Sequence, residues 1–276
     1  MNYDAIPTPL QYFAALVQGE SVPLLEAAAC IAHDEEPGLD VQQVLDQMDE
    51  LAARLKRSLP KTGAGVLQRL GALNRFFYGE LGFGGNLNNY YAPGNSYLHT
   101  VLRTRRGIPI SLAVLWLELA QGLDLRAQGV AFPGHFLVKV LLPEGQVVID
   151  PLTGQSLTRE ALGERLEPYR RRGSSGGQPP LALYLQGASA REILARMLRN
   201  LKEVHRSSQD WPRMIAVQDR LIVLLPDAWA EWRDRGLARA ELGQTEQAVP
   251  DLQTYLAHAS GAGDAQDIAA LVSALR

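Results

Sequence analysis

Phe132-Pro133-Gly134-His135-Phe136-Leu137-Val138 places a histidine immediately after a turn, at the mouth of an apolar run, and Ile149-Asp150-Pro151 closes the next apolar run with an aspartate. Phe136 to Leu142 reads as a strand, Pro143-Glu144-Gly145-Gln146 as a turn, and Val147-Val148-Ile149 as the returning strand, with Val130 to Phe132 as a further strand before the turn. Side chains alternate faces along a strand, so an even-length loop puts His135 and Asp150 on the same face of such a hairpin. A two-residue loop at Leu142-Pro143 would set them directly opposite each other. A four-residue loop at Pro143–Gln146 would set Asp150 across from Lys139, about 13 Å along the strand from His135. Both registers satisfy the pattern. A histidine oriented by a carboxylate is two thirds of a Cys-His-Asp triad, whose thiol sits where a helix begins and its dipole lowers the thiol pKa.

A helix of that kind starts upstream. Gly107-Ile108-Pro109 precedes a strongly helical run from Ile110 to Gln121, which Gly122 and Asp124 terminate. Between residues 83 and 96 the chain is dense in Gly, Asn and Pro, the composition of an ordered but irregular loop. N-terminal to it, three amphipathic segments read as helices: Val22 to Ala32, Asp40 to Leu55 and Val66 to Leu81. C-terminal to the hairpin, Arg170 to Pro180 reads as a linker carrying three arginines. The last zone is helical and periodic. Trp232, Gly236, Gly243, Ala248 and Leu252 fall at tetratricopeptide spacings, and Pro226 closes a weaker unit in which Leu198, Lys202 and Met214 replace the signature residues. A helix from about Asp264 follows.

These residues carry a family resemblance. The runs 81–86, 91–98, 106–112 and 129–136 are similar, almost without gaps, to the motifs of SirB-type bacterial proteins, which join a transglutaminase-like core to tetratricopeptide-like repeats. The resemblance implies an α+β fold: a mostly helical N-terminal region, a papain- or transglutaminase-like helix with an antiparallel sheet, and an all-α repeat region. It divides the chain into residues 1–186 and 187–276. On this alignment His135 and Asp150-Pro151 fall on the family's His and Asp-Pro, and Pro109 falls on its cysteine.

Proline has neither a thiol nor an N–H, and losing a triad's nucleophile costs about six orders of magnitude in rate. The expected protein is therefore a non-catalytic relative that binds a protein or peptide through residues 190–276, with a regulatory role. Asn95, Tyr91, Pro109 and Trp232 are its candidate binding residues. The alternative is a hydrolase or acyl transferase in which Ser111 or Ser96 serves His135 and Asp150 as nucleophile. Cys30 is the only cysteine and reads as a small core residue, so neither an intrachain disulfide nor a cysteine-rich zinc site is available. His33, His99, His205 and His258 have no metal-ligand spacing, so no metal or cofactor is expected. A net charge of −3 argues against a nucleic-acid partner, despite Tyr90-Tyr91 and the nearby arginines 103, 105 and 106. With no apolar run of membrane-spanning length and no signal-like N-terminus, the expected location is the cytoplasm.

Overall fold

The structure is a computed structural model that describes residues 7–60, 63–86, 88–169, 179–259 and 261–276. Most of the expected linker, residues 170–178, lies outside the described residues. Contacts divide the chain into two units, and the division interleaves the sequence. One unit takes the described residues up to Pro23, residues 30–39 and 194–276. The other takes residues 24–29 and 40–193.

The N-terminal helices form where capping and amphipathic spacing coincide. Helix α1 (Pro9–Gln18) starts from a reciprocal cap: the Gln11 N–H donates to the Thr8 hydroxyl, and the Gln11 side chain accepts from the Thr8 N–H. Helix α2 (Leu24–Ala29) is shorter than the sequence predicts and tightens into a 3-10 turn at Cys30–Asp34. Helix α3 (Val41–Arg57) is capped by Asp40 and buries Val44, Met48, Leu51 and Leu55 along one face. Helix α4 (Val66–Asn74) passes into a π-helical turn at Arg75–Glu80.

The remainder of the second unit is built around one helix. Strand β1 (Gly84–Gly85) pairs in parallel with β2 (Arg106–Gly107), and helix α5 (Leu98–Thr104) lies between them in sequence. Helix α6 (Pro109–Gly122) begins at its proline and is buried nearly all round, including Trp116 at 0% exposure. A helix of this apolarity needs cover on every side, and α3, α4, α5 and the sheet supply it. The antiparallel sheet runs β3 (Ala127–Val130), β4 (Leu137–Leu142), β5 (Gly145–Ile149), in that order. The structure moves β3 earlier than the expected Val130–Phe132, because Phe132 turns inward to a cluster with Leu137, Leu162 and Leu166 instead of joining the ladder. Helices α7 (Arg159–Leu166) and α8 (Leu181–Tyr184) follow.

The C-terminal helices are α9 (Ala190–Ser207), α10 (Trp211–Leu224), α11 (Trp229–Glu241), α12 (Thr245–His258) and α13 (Ala265–Ala274). Gly236 explains the tight α11–α12 pair, since a Cβ there would stand 2.7 Å from Leu252 Cγ. Ala248 is buried opposite, as its place in the repeat pattern requires. Helix α1 seats on α10, with the Arg220 guanidinium over the Phe13 ring at 5.8 Å. Arg220 is 1% exposed and pairs with Asp34 of the 3-10 turn. By their contacts these N-terminal segments group with the repeats. No described helix is long and apolar enough to cross a membrane.

Candidate functional site

The Pro133-Gly134 turn delivers His135 just ahead of β4, and the His135 N–H closes the bend on the Phe132 carbonyl. Gly134 has φ of 69°, in the left-handed region, and a Cβ there would fall 1.8 Å from the Tyr169 hydroxyl. The Tyr169 side chain thus lies directly on the turn that carries the histidine.

Asp150 follows the last residue of β5. Neither expected register is the one adopted. The hairpin loop is Pro143-Glu144, and Leu142 pairs with Gly145 and Val138 with Ile149. Extending that ladder by one step sets Asp150 opposite Leu137, roughly 7 Å along the strand from His135. The parity argument still holds, because this loop also has even length. His135 sits in the bend before the strand, so its ring closes the gap: His135 Nε2 is 3.0 Å from Asp150 Oδ1.

The carboxylate is held on three sides. Oδ1 also accepts the Leu152 N–H at 3.0 Å, and Oδ2 accepts Arg165 Nη1 at 2.9 Å. Burial alone would raise the Asp150 pKa. The His135 hydrogen bond and charge, the Leu152 N–H and Arg165 outweigh it, and the pKa is held down to about 2. Tyr78 donates to the Pro151 carbonyl at 3.1 Å, and burial together with the Asp150 charge pushes its pKa up, so it stays a donor. Arg165, Tyr78 and Tyr169 carry no motif in the sequence; only the fold brings them here.

The depressed pKa makes stability pH-dependent. A carboxyl whose pKa is lower in the folded chain contributes fully above its ordinary value of 3.8 and loses that contribution as pH falls through about 2. The contribution is about 2 kcal/mol. Urea unfolding of the second unit at a series of acid pH values is expected to show that slope, and Asp150→Asn protein should lack it.

The candidate nucleophiles are placed differently from one another. Ser111 is 0% exposed, and its hydroxyl lies 2.6 Å from the Asn95 carbonyl and 3.0 Å from the Ile108 carbonyl, both acceptors for its proton. Its oxygen also accepts the Ile108 N–H at 3.1 Å, so Ser111 reaches back to tie down the start of α6. Ser96 is 3% exposed and closes a 3-10 turn on the Pro93 carbonyl. Pro109 is buried at the first position of α6.

Asn95 is committed to its own loop. Its amide donates to the Asn89 and Tyr90 carbonyls at 2.7 and 3.0 Å and accepts from Asn86 at 2.9 Å. Tyr91 is 77% exposed and meets Tyr90 edge-on. Trp232 lies apart from all of these, in the repeat unit, where its indole N–H donates to the Pro226 carbonyl and Arg235 stacks on its ring. Among the described residues no cluster of His, Cys, Asp and Glu has the arrangement of a metal site.

The profile of the transglutaminase-like superfamily matches residues 42–199, and that of a tetratricopeptide repeat matches residues 201–276. The chain is 39% identical over 253 residues to a UPF0162 protein of Xylella fastidiosa strain Temecula1, covering 90% of this chain and 88% of that one. It is 34% identical over 237 residues to a UPF0162 protein of Pseudomonas aeruginosa, with 86% and 85% covered. Against the UPF0162 protein YchA of Escherichia coli K12 the identity is 26% over 219 residues, with 78% of each covered. No solved structure matches. A buried helix starting at Pro109, a His–Asp pair at the edge of an antiparallel sheet and a run of C-terminal helices thus coincide with these matches, and the chain belongs to the transglutaminase-like superfamily, in the UPF0162 (SirB-like) family, with tetratricopeptide repeats in its C-terminal part.

Proposed function

We propose that this protein is a non-catalytic member of its superfamily that captures a protein or peptide partner through its helical repeats. The observation that carries the reading is the start of α6. Where the resemblance expects a thiol, the chain has buried Pro109, and the hydroxyl two residues on, in the same first turn, Ser111, is spent on backbone groups. A serine nucleophile must present its oxygen to substrate and its proton to a base. The Ser111 hydroxyl, fully buried and directed at the Asn95 and Ile108 carbonyls, does neither. His135 and Asp150 then act as a structural clasp between the turn ahead of β4 and the end of β5.

Stacked helix pairs build extended concave surfaces that suit peptides, which gives the repeats a physical basis for binding. The test is capture by purified full-length chain with chemical cross-linking. Capture is expected to survive His135→Ala and to be lost when residues 208–276 are removed. A chain also lacking residues 7–18 is the control, because α1 loses its seat on α10 in the truncated protein. Capture that persists without the repeats would refute the reading. So would labelling by a serine-reactive phosphonate that depends on His135.

A further inference from the structure

Within the repeat unit, a hollow of about 590 Å³ opens between α9, α10 and α11, with Asp264 at its end. Its apolar side is made by Trp211, Met214, Leu237 and Ala238, of which Met214 and Ala238 are buried and Trp211 is half-buried. Its polar side is unbalanced. Four carboxylates, those of Glu203, Asp234, Glu241 and Asp264, face only two guanidiniums, Arg206 and Arg233.

Both guanidiniums are already engaged. Arg206 donates twice to Glu203 Oε2, at 3.1 and 2.5 Å. Arg233 donates to Asp234 at 2.8 Å and to Asp264 at 2.7 Å. Behind the wall, Lys202 shares its ammonium between Glu231 at 2.6 Å and Asp234 at 3.0 Å, and Arg199 takes the other Glu231 oxygen at 3.0 Å. Counting these neighbours leaves the hollow still short of positive charge. Glu241, exposed at the rim, has no ion-pair partner among the described residues.

We infer that this hollow receives a segment of a partner protein in which a lysine or arginine adjoins an aliphatic side chain. The aliphatic group covers Trp211 and Leu237, and the cation meets Glu203 and Glu241. Trp232, the tryptophan singled out by the repeat pattern, packs on the loop before α11 and does not line the hollow; Trp211 does. The inference rests on the reading of the repeats as the binding region and adds the chemistry of what they bind.

The experiment uses the full chain and two short fluorescein-labelled peptides, one alternating leucine and lysine and the other its leucine–glutamate counterpart, read by fluorescence anisotropy. The lysine peptide is expected to bind at least about tenfold more tightly than the glutamate peptide, and to weaken as salt is raised. Glu203→Lys combined with Glu241→Lys changes only exposed side chains, so the fold should be kept, and the preference is expected to invert. Equal binding of the two peptides, or a preference that the double variant leaves unchanged, would overturn the inference. If partner capture is lost with residues 208–276 while the peptides are not distinguished, the inference fails and the proposed function stands. If the peptides are distinguished and inverted while capture ignores the repeats, the proposed function fails and the chemistry of the hollow stands.

Discussion

Gly236→Val is expected to destabilise the repeat unit by about 3 kcal/mol or more, the combined order of overpacking a helix contact and placing a β-branched residue there. A first Cβ already stands 2.7 and 2.8 Å from the Leu252 side chain and 3.1 Å from Asp251 Cβ, and Leu252 is 0% exposed. Two more methyl groups have no space unless α11 and α12 separate. Separation would also strain the buried Asp251 carboxylate, which takes Arg235 at 2.6 and 2.8 Å and Arg239 at 2.7 Å. Gly236→Ala sets two effects against each other. Helix propensity gains about 1 kcal/mol, and overpacking costs about 1–3 kcal/mol, so a small net loss is expected. Urea unfolding followed by hydrogen exchange in α11 and α12 measures both variants. A valine variant as stable as the parent would mean that the two helices do not depend on close approach at this glycine.

Asp150→Ala is expected to cost the second unit about 3 kcal/mol, the lower end of the range for breaking a buried ion pair. The aspartate is 5% exposed and serves His135, Leu152 and Arg165 at once. Arg165 sets which end of the range applies. Its side chain is 40% exposed, so its charge returns to water when the carboxylate goes. The Leu152 N–H loses its acceptor, and His135 loses the group that orients it. Asp150→Asn keeps the volume and an acceptor, and should cost roughly half as much. Thermal and urea unfolding at neutral pH test the pair. A loss below about 1 kcal/mol for alanine would remove Asp150 from the groups that hold this turn.

How much of this was legible differs from element to element, for physical reasons. Helix α6 was readable because Pro109 sets φ at its start and the apolar run behind it is unbroken. The shared face of His135 and Asp150 was readable because strand parity depends only on whether the loop is even. The register was not readable: Leu142-Pro143, Pro143-Glu144 and Pro143–Gln146 all satisfy the same alternation, and Gly145 is tolerated in either turn or strand. Strand β3 was misplaced because Ala127-Gln128-Gly129 lacks the β-branched residues that announce a strand. Arg165 gave no signal at all, since an arginine in a helix is usually solvated and only packing of α7 brings it to the carboxylate. The surroundings of Ser111 were not readable, since only packing turns its hydroxyl onto the Asn95 and Ile108 carbonyls. The seat of α1 on α10 left no trace in the pattern, because an amphipathic helix declares that it has a buried face without declaring what buries it.

That seat has a consequence for how the chain is made. Phe13 and Val17 are buried in the finished protein, yet the surface that α10 offers is encoded roughly 200 residues later. At about 5–20 residues per second, translation takes on the order of 10–40 s to reach it. During that interval residues 40–193 emerge and can assemble their own unit, while α1 has the 3-10 turn at Cys30–Asp34 to pack on but not α10. Helix α1 is therefore made well before its seat, and its apolar face waits on the nascent chain while residues 19–210 are added.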